Sequence, residues 1–158
     1  MPPPLLIDLE QIDTGQTTLT REQIYAMLPH RYEFMLVGGV CHVDKAASQI
    51  VTYCDLREDD WWVRGHVPGR PILPGVLMLE MAGQTSAVLG KLITGDESFV
   101  AFGGVSECKF REAVLPPARL LILCTLTDLR RRRIVSNVQG VVDGKMVFEA
   151  TITGLIMA

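Results

Sequence analysis

A chain of 158 residues, 48% hydrophobic and 21% charged, is long enough to bury its own core and too apolar to stay disordered, so one globular domain is expected. A formal net charge of −3 at pH 7 gives no footing for a nucleic-acid binder. The opening MPPPLLIDLE lacks the basic and long apolar stretches of a secretory signal, no segment reads as a membrane span, and a cytoplasmic location is the default expectation.

Residues 1–19 read as an arm, Pro-rich and then polar, whose Leu5, Leu6, Ile7 and Leu9 can pack on the body. Residues 20–158 read as the domain itself. Thr20, with Gln23 three residues later, makes a capping box and predicts a short helix to about Leu28, stopped before Pro29. Pro29-His30-Arg31 is a tight polar corner in which His30 is read as structural. Phe34–Val43 reads as a strand with a bulge at Gly38-Gly39, and Ala47–Leu56 as a second strand beyond a turn at Asp44-Lys45. Trp61-Trp62-Val63 leads into a loop, Gly65 to Pro74. Pro68, Pro71 and Pro74 fix φ there, and Gly65 and Gly69 permit sharp bends. Such a loop can hold His66 in one place.

A helix is expected to start at Pro74-Gly75. From Val76 to Ile93 its only charged residues are Glu80 and Lys91, and a helix apolar on every side is either buried on every side or spans a membrane. Spanning takes roughly 20 uninterrupted apolar residues, and Glu80, Gln84, Thr85, Ser86, Gly83 and Gly90 argue against it. A central helix wrapped by other structure is the better reading. Thr94-Gly95-Asp96 ends it. Four strand-like runs follow: Phe99 to Phe110, Arg119 to Leu129, Ile134 to Val142 and Lys145 to Met157. Pro116-Pro117 separates the first two, and Asp143-Gly144 is a strong hairpin signal between the last two. In the last run Met146, Phe148, Ala150 and Ile152 share one face, as a half-buried antiparallel strand requires. The order predicts an α+β architecture, an antiparallel sheet curled around one long central helix, which is the hot-dog fold reached as a packing solution. Apolar edge strands invite pairing with a second copy, so a homodimer with a continuous sheet is expected.

Cys41, Cys54, Cys108 and Cys124 form no C-x-x-C pair and sit in apolar stretches, so they read as buried, reduced side chains. His30, His42 and His66 show no metal-ligand spacing, and no metal site is expected. A lone loop histidine such as His66 is usually a surface residue or a satisfied hydrogen-bonder. A lone Glu80 in an apolar helix is more informative, because burying an unpaired carboxylate costs several kcal/mol. Gln84, four residues on, shares its face and is a candidate partner. A rigidly held base and a carboxyl set in apolar surroundings form an acid–base pair. The amides of Gly75 and Val76 at the helix start add N–H donors and the positive end of the macrodipole. Base, acid and donors for a carbonyl together suit proton abstraction α to a carbonyl.

GHVPGRPILPGVLMLEMAGQ, Gly65 to Gln84, closely resembles the signature of the 3-hydroxyacyl-[acyl-carrier-protein] dehydratases of the FabZ type, including the His–Glu spacing. LPHRYEFMLV, FGGVSECKFREAVLPPARL and GVVDGKMVFEATITG resemble the family's other segments, so the likeness runs from about Leu28 to the C-terminus. The related FabA type carries Asp where this chain has Glu80. The resemblance implies elimination of water from (3R)-hydroxyacyl thioesters to give trans-2-enoyl thioesters in fatty acid biosynthesis. His66 would take the C2 proton, and Glu80 would protonate the leaving hydroxyl. Gly75 and Val76 would hold the thioester carbonyl, with Gln84 beside Glu80 in the substrate site. It implies no metal or redox cofactor, the substrate riding on the phosphopantetheine of an acyl carrier protein. It also implies a homodimer whose active sites are shared between subunits, with a trimer of dimers as family precedent.

Departures from that pattern point to an altered substrate range. Val67 stands for the usual phenylalanine after the histidine, Trp61-Trp62 for a Phe-rich lead-in, and Gly83 for the usual alanine. Gly38-Gly39 replaces larger residues, and the arm is longer. Arg130–Arg133 reads as a solvated hairpin turn or as a docking patch for the acidic carrier, with Arg31, Arg64, Arg70, Lys109 and Arg111 as further contributors. Rival readings are a hot-dog thioesterase in which Glu80 activates water, which leaves His66 without a role, a FabA-like dehydratase/isomerase, and a non-catalytic acyl-binding subunit.

Overall fold

The computed structural model describes residues 1–157. Strand β1 (Leu19–Thr20) runs directly into helix α1 (Arg21–Met27). The capping box is in place: Thr20 Oγ1 accepts from the Gln23 amide, and the Gln23 side chain accepts from the Thr20 amide, which satisfies two of the helix's orphan donors. Strands β2 (Gly39–Asp44) and β3 (Gln49–Leu56) follow, then the short helix α2 (Val63–His66), the long helix α3 (Gly75–Thr94), and strands β4 (Phe99–Phe110), β5 (Ala118–Arg130), β6 (Arg133–Val142) and β7 (Lys145–Met157). The strands form one seven-stranded antiparallel sheet in the order β1-β2-β3-β5-β6-β7-β4. It curls around α3, which packs on β3, β5, β6 and β7. The expected hot-dog architecture is therefore the one observed.

The strand expected from Phe34 begins only at Gly39, because side chains claim the backbone before it. Tyr32–Phe34 is a 3-10 turn, the Phe34 and Met35 carbonyls accept from Gln84 Nε2 and Arg21 Nη2, and the Val37 amide donates to Tyr25 Oη. Nor is Gly38-Gly39 a bulge; the register shifts later, between Val40 and His42. A Cβ on Gly39 would lie 2.4 Å from Tyr53 Oη, so glycine there makes room for the Tyr53 ring. β3 starts two residues later than expected, after a turn in which Ser48 takes φ +54°. The Asp143-Gly144 hairpin has positive φ at both residues, 50° and 76°, as a two-residue type I′ turn requires.

α3 is the one helix among the described residues long and apolar enough to cross a membrane, and it is mostly buried inside the sheet. Its buried polar groups are matched. Thr85 Oγ1 donates to the Met81 carbonyl at 2.8 Å and lies 2.7 Å from Thr52 Oγ1, and Ser86 Oγ pairs with Ser136 Oγ at 2.7 Å. Buried Lys91 donates to the Glu97 and Ser98 carbonyls beyond the helix end, where a cation favours the dipole. Burial is not complete on every side, however. Val76 is exposed, and Leu79, Glu80 and Gly83 are half-buried, so one stripe at i, i+3, i+4, i+7 is left uncovered. Beside it runs the edge strand β4, with Phe99, Phe102, Val105 and Phe110 exposed.

The arm packs on the opposite face of the sheet. Leu5, Leu6, Ile7, Leu9 and Ile12 gather on Cys41, Val51, Leu123 and Val141, and Gln139 fastens the arm by accepting from the Leu6 amide and donating to the Pro4 carbonyl. Three cysteines are buried as expected, whereas Cys108 is only half-buried, on the edge strand. In β7, Phe148, Ala150 and Ile152 share the core face as expected, but the register shift between Gly140 and Val141 turns Met146 away from it and brings Val147 into the core instead. The ring of Phe148 occupies the place that a Cβ at Gly140 would take, 2.3 Å away. Phe148 is fully buried and has nowhere to move. Gly140→Ala is expected to cost about 1–3 kcal/mol of stability, read as a lower urea midpoint at an unchanged slope.

Candidate active site

His66 is the last residue of α2, its amide bonded to the Trp62 carbonyl at 3.1 Å, and not a loop residue as expected. The Pro/Gly loop acts on it from the far side. The Arg70 amide closes a turn onto the Val67 carbonyl at 2.9 Å, Gly69 takes φ +83°, and the Leu73 amide is pinned to the Val114 carbonyl at 2.8 Å. This returns the Ile72 carbonyl to His66 Nδ1 at 2.8 Å. With Nδ1–H donating there, Nε2 keeps its lone pair and is free to act as a base.

α3 begins next to it. Pro74 offers no side-chain cap, and its carbonyl takes the Leu77 and Met78 amides, so the Gly75 and Val76 N–H groups remain at the positive end of a 20-residue helix. The ring of Phe110 lies over Gly75, where a Cβ would meet it at 2.8 Å. His66, Ile72, Gly75, Val76, Met78 and Phe110 line a cavity of about 480 Å³.

Glu80 is built from a different set. Its side chain is half-buried and accepts on Oε1 from Gln84 Nε2 at 3.0 Å, the partner expected from the spacing. His30 Nε2 lies 3.2 Å from the same oxygen. The Gln84 amide is itself held. Its Oε1 accepts from Tyr25 Oη at 2.6 Å, its Nε2 also donates to the Phe34 carbonyl at 2.8 Å, and Tyr25 Oη accepts from the Val37 amide at 2.8 Å. Burial pushes the Tyr25 phenol above its ordinary range, so it stays an O–H donor and fixes which end of the amide faces Glu80. Glu80, His30, Gly83, Ala87, Phe99 and Phe102 line a second cavity of about 120 Å³.

The structure thus gathers His66, Gly75 and Val76 around one cavity, and Glu80 and Gln84 around another. Both lie along the uncovered stripe of α3. Sequence reasoning missed the parts of His30 and Tyr25. The polar corner was a signal for His30, whereas nothing local distinguishes Tyr25. Of the basic residues, Arg111 is paired with Glu149, and Arg130 and Arg133 with Asp128, while Arg64, Arg70 and Lys109 are exposed, as are Arg131 and Arg132 at the β5–β6 turn.

Residues 28–151 match the FabA-like domain. The 3-hydroxyacyl-[acyl-carrier-protein] dehydratase FabZ of Klebsiella pneumoniae is 35% identical over 143 residues, covering 87% of this chain and 93% of that protein. The chain belongs to the FabA-like family, as a dehydratase of the FabZ type. The bifunctional enzyme LpxC/FabZ of Chlorobaculum tepidum is 33% identical over 85% of the FabZ-type chain, which spans 29% of that longer protein. Solved structures share the fold: the dehydratase heterocomplex ApeI:P from Xenorhabdus doucetiae (TM-score 0.73, 15% identity, 85% of this chain and 91% of that one) and a mutant thioesterase from Pseudomonas aeruginosa (TM-score 0.67, 17% identity, 90% and 96%).

In this FabZ-type chain, Tyr25→Phe would leave the buried Val37 amide without an acceptor and free the Gln84 amide to turn. A loss of about 1–3 kcal/mol is expected, measured by chemical denaturation.

Proposed function

We propose that the protein dehydrates (3R)-hydroxyacyl thioesters, carried on acyl carrier protein, to trans-2-enoyl thioesters in fatty acid biosynthesis, with His66 of one chain and Glu80 of a second copy in each active site. The observation that carries this reading is the division of the site. The base and the acid open on separate cavities along one uncovered apolar stripe, beside an edge strand bearing exposed Phe99, Phe102, Val105 and Phe110. A second copy laid on that stripe would cover it and complete the site.

The steps follow from the groups present. His66 Nε2 removes the C2 proton, and the electron pair moves toward the thioester carbonyl, whose developing charge the Gly75 and Val76 amides hold. The C3–O bond then breaks as Glu80 gives its proton to the departing hydroxyl, so that water leaves and the enoyl double bond forms. The route uses only side chains and backbone amides and asks for no cofactor. The exposed Arg131 and Arg132 suit an acidic carrier docked at that turn. A cytoplasmic location goes with this reading.

The test is enoyl absorbance with (3R)-hydroxybutyryl thioester and a longer-chain analogue. The wild type should turn over. His66→Ala and Glu80→Gln should each lose on the order of 10²–10⁴-fold in kcat. No turnover by folded wild type on any chain length would sink the dehydratase reading, and thioester hydrolysis that survives His66→Ala would replace it with a thioesterase.

Mixing tests the shared site. If the two inactive variants are unfolded and refolded together, half the dimers are mixed, and each mixed dimer holds one intact site. About a quarter of wild-type activity should return; sites formed within one chain would return none.

A further inference from the structure

We propose that His30 is a positioning residue for Glu80 of its own chain: with Gln84 it ties down Oε1, and so makes Oε2 the oxygen that carries and delivers the proton. This deepens the reading of Glu80 as the general acid and rests on it.

The corner that carries His30 is locked. Arg31 Nη1 donates to the carbonyls of Tyr25 (3.0 Å), Leu28 (2.9 Å) and His30 itself (2.7 Å). It thereby satisfies free carbonyls at the end of α1 and fixes the backbone on which the imidazole stands. His30 Nε2 then lies 3.2 Å from Glu80 Oε1. The other ring nitrogen, Nδ1, is buried without a hydrogen-bond partner. A proton on Nδ1 would be a buried donor with no acceptor, which is costlier than a buried lone pair. The imidazole proton is therefore assigned to Nε2, facing Glu80.

Two donors now converge on one oxygen, since Gln84 Nε2 also reaches Oε1 at 3.0 Å. In a carboxylic acid the carbonyl oxygen accepts and the hydroxyl oxygen holds the proton. Donors on Oε1 leave the proton to Oε2. The same cradle fits the carboxylate, in which Oε1 still accepts from both donors. Glu80 can therefore lose its proton to a hydroxyl and regain one without turning its carboxyl group, which is the preorganisation that acid catalysis requires.

The experiment compares wild type, His30→Leu and His30→Gln in the hydroxybutyryl assay, with thermal midpoints alongside and the imidazole 15N signals of wild type recorded by NMR. His30→Leu should lower kcat by about tenfold to a hundredfold, the scale of an ångström-level misplacement, with KM little changed. His30→Gln, whose amide can again donate to Oε1, should recover most of that loss. The NMR spectrum should show a protonated Nε2 and a bare Nδ1. An active wild type with undiminished kcat in His30→Leu overturns the proposal, as does a kcat loss matched by an equal drop in stability and not rescued by glutamine. An inactive wild type would instead remove the dehydratase reading; a proton on Nδ1 would then overturn the His30 pairing, and one on Nε2 would uphold it.

Discussion

Burial of α3 is the constraint on which the rest of the molecule depends. A helix of this composition cannot face water over most of its surface, and the sheet curls because it must cover it. The polar groups that α3 carries into that interior find partners elsewhere in the chain. Thr85 meets Thr52 of β3, Ser86 meets Ser136 of β6, and Lys91 reaches back to the carbonyls that follow the helix. Each pairing joins the helix to a different part of the fold, so register and burial are fixed together.

Glu80 belongs to the same series and is its exception. Like the others it has partners, Gln84 and His30, and a chain of contacts leads through Gln84 to Tyr25 and α1. Unlike them it stays half-buried on the stripe that the sheet does not cover. The supports that fix it are fully buried, Tyr25 at 3% and Gln84 at 2% exposure, while the carboxyl itself looks outward. The carboxyl is thus held from behind and open in front.

The parts of this arrangement legible in the sequence are those governed by local chemistry. Thr20 with Gln23, Asp143-Gly144, Gly95 and the alternation of β7 from Phe148 to Ile152 carry their meaning within a few residues, and each structure follows directly. The spacing from Glu80 to Gln84 is of the same kind. Where expectation failed, a distant partner decided. Phe34 to Gly38 has strand-like composition, but its carbonyls and amides are taken by Gln84, Arg21 and Tyr25. The stripe of α3 read as buried because a sequence does not say which side of an apolar helix its own sheet will cover. The contact of His30 with a carboxyl fifty residues away is likewise invisible in its own corner of the sequence.

The glycine at position 83 shows how such long-range effects reach the site. One turn below Glu80, a glycine carries a helix cost of about 1 kcal/mol relative to alanine, which needs a compensation. The Phe102 ring supplies it by lying where the Cβ would stand, 2.8 Å away. Gly83 and Phe102 are therefore coupled through packing. The ring is the wall of the small cavity beside Glu80, so an alanine at position 83 would push that wall away from the helix. Trp61 and Trp62 differ in exposure. Trp62 is buried in the core and Trp61 is half-exposed, and both line a separate groove with Arg21 and Tyr32. Gly83 thus acts on the cavity wall next to Glu80, whereas Trp62 joins the core to the groove on the other side.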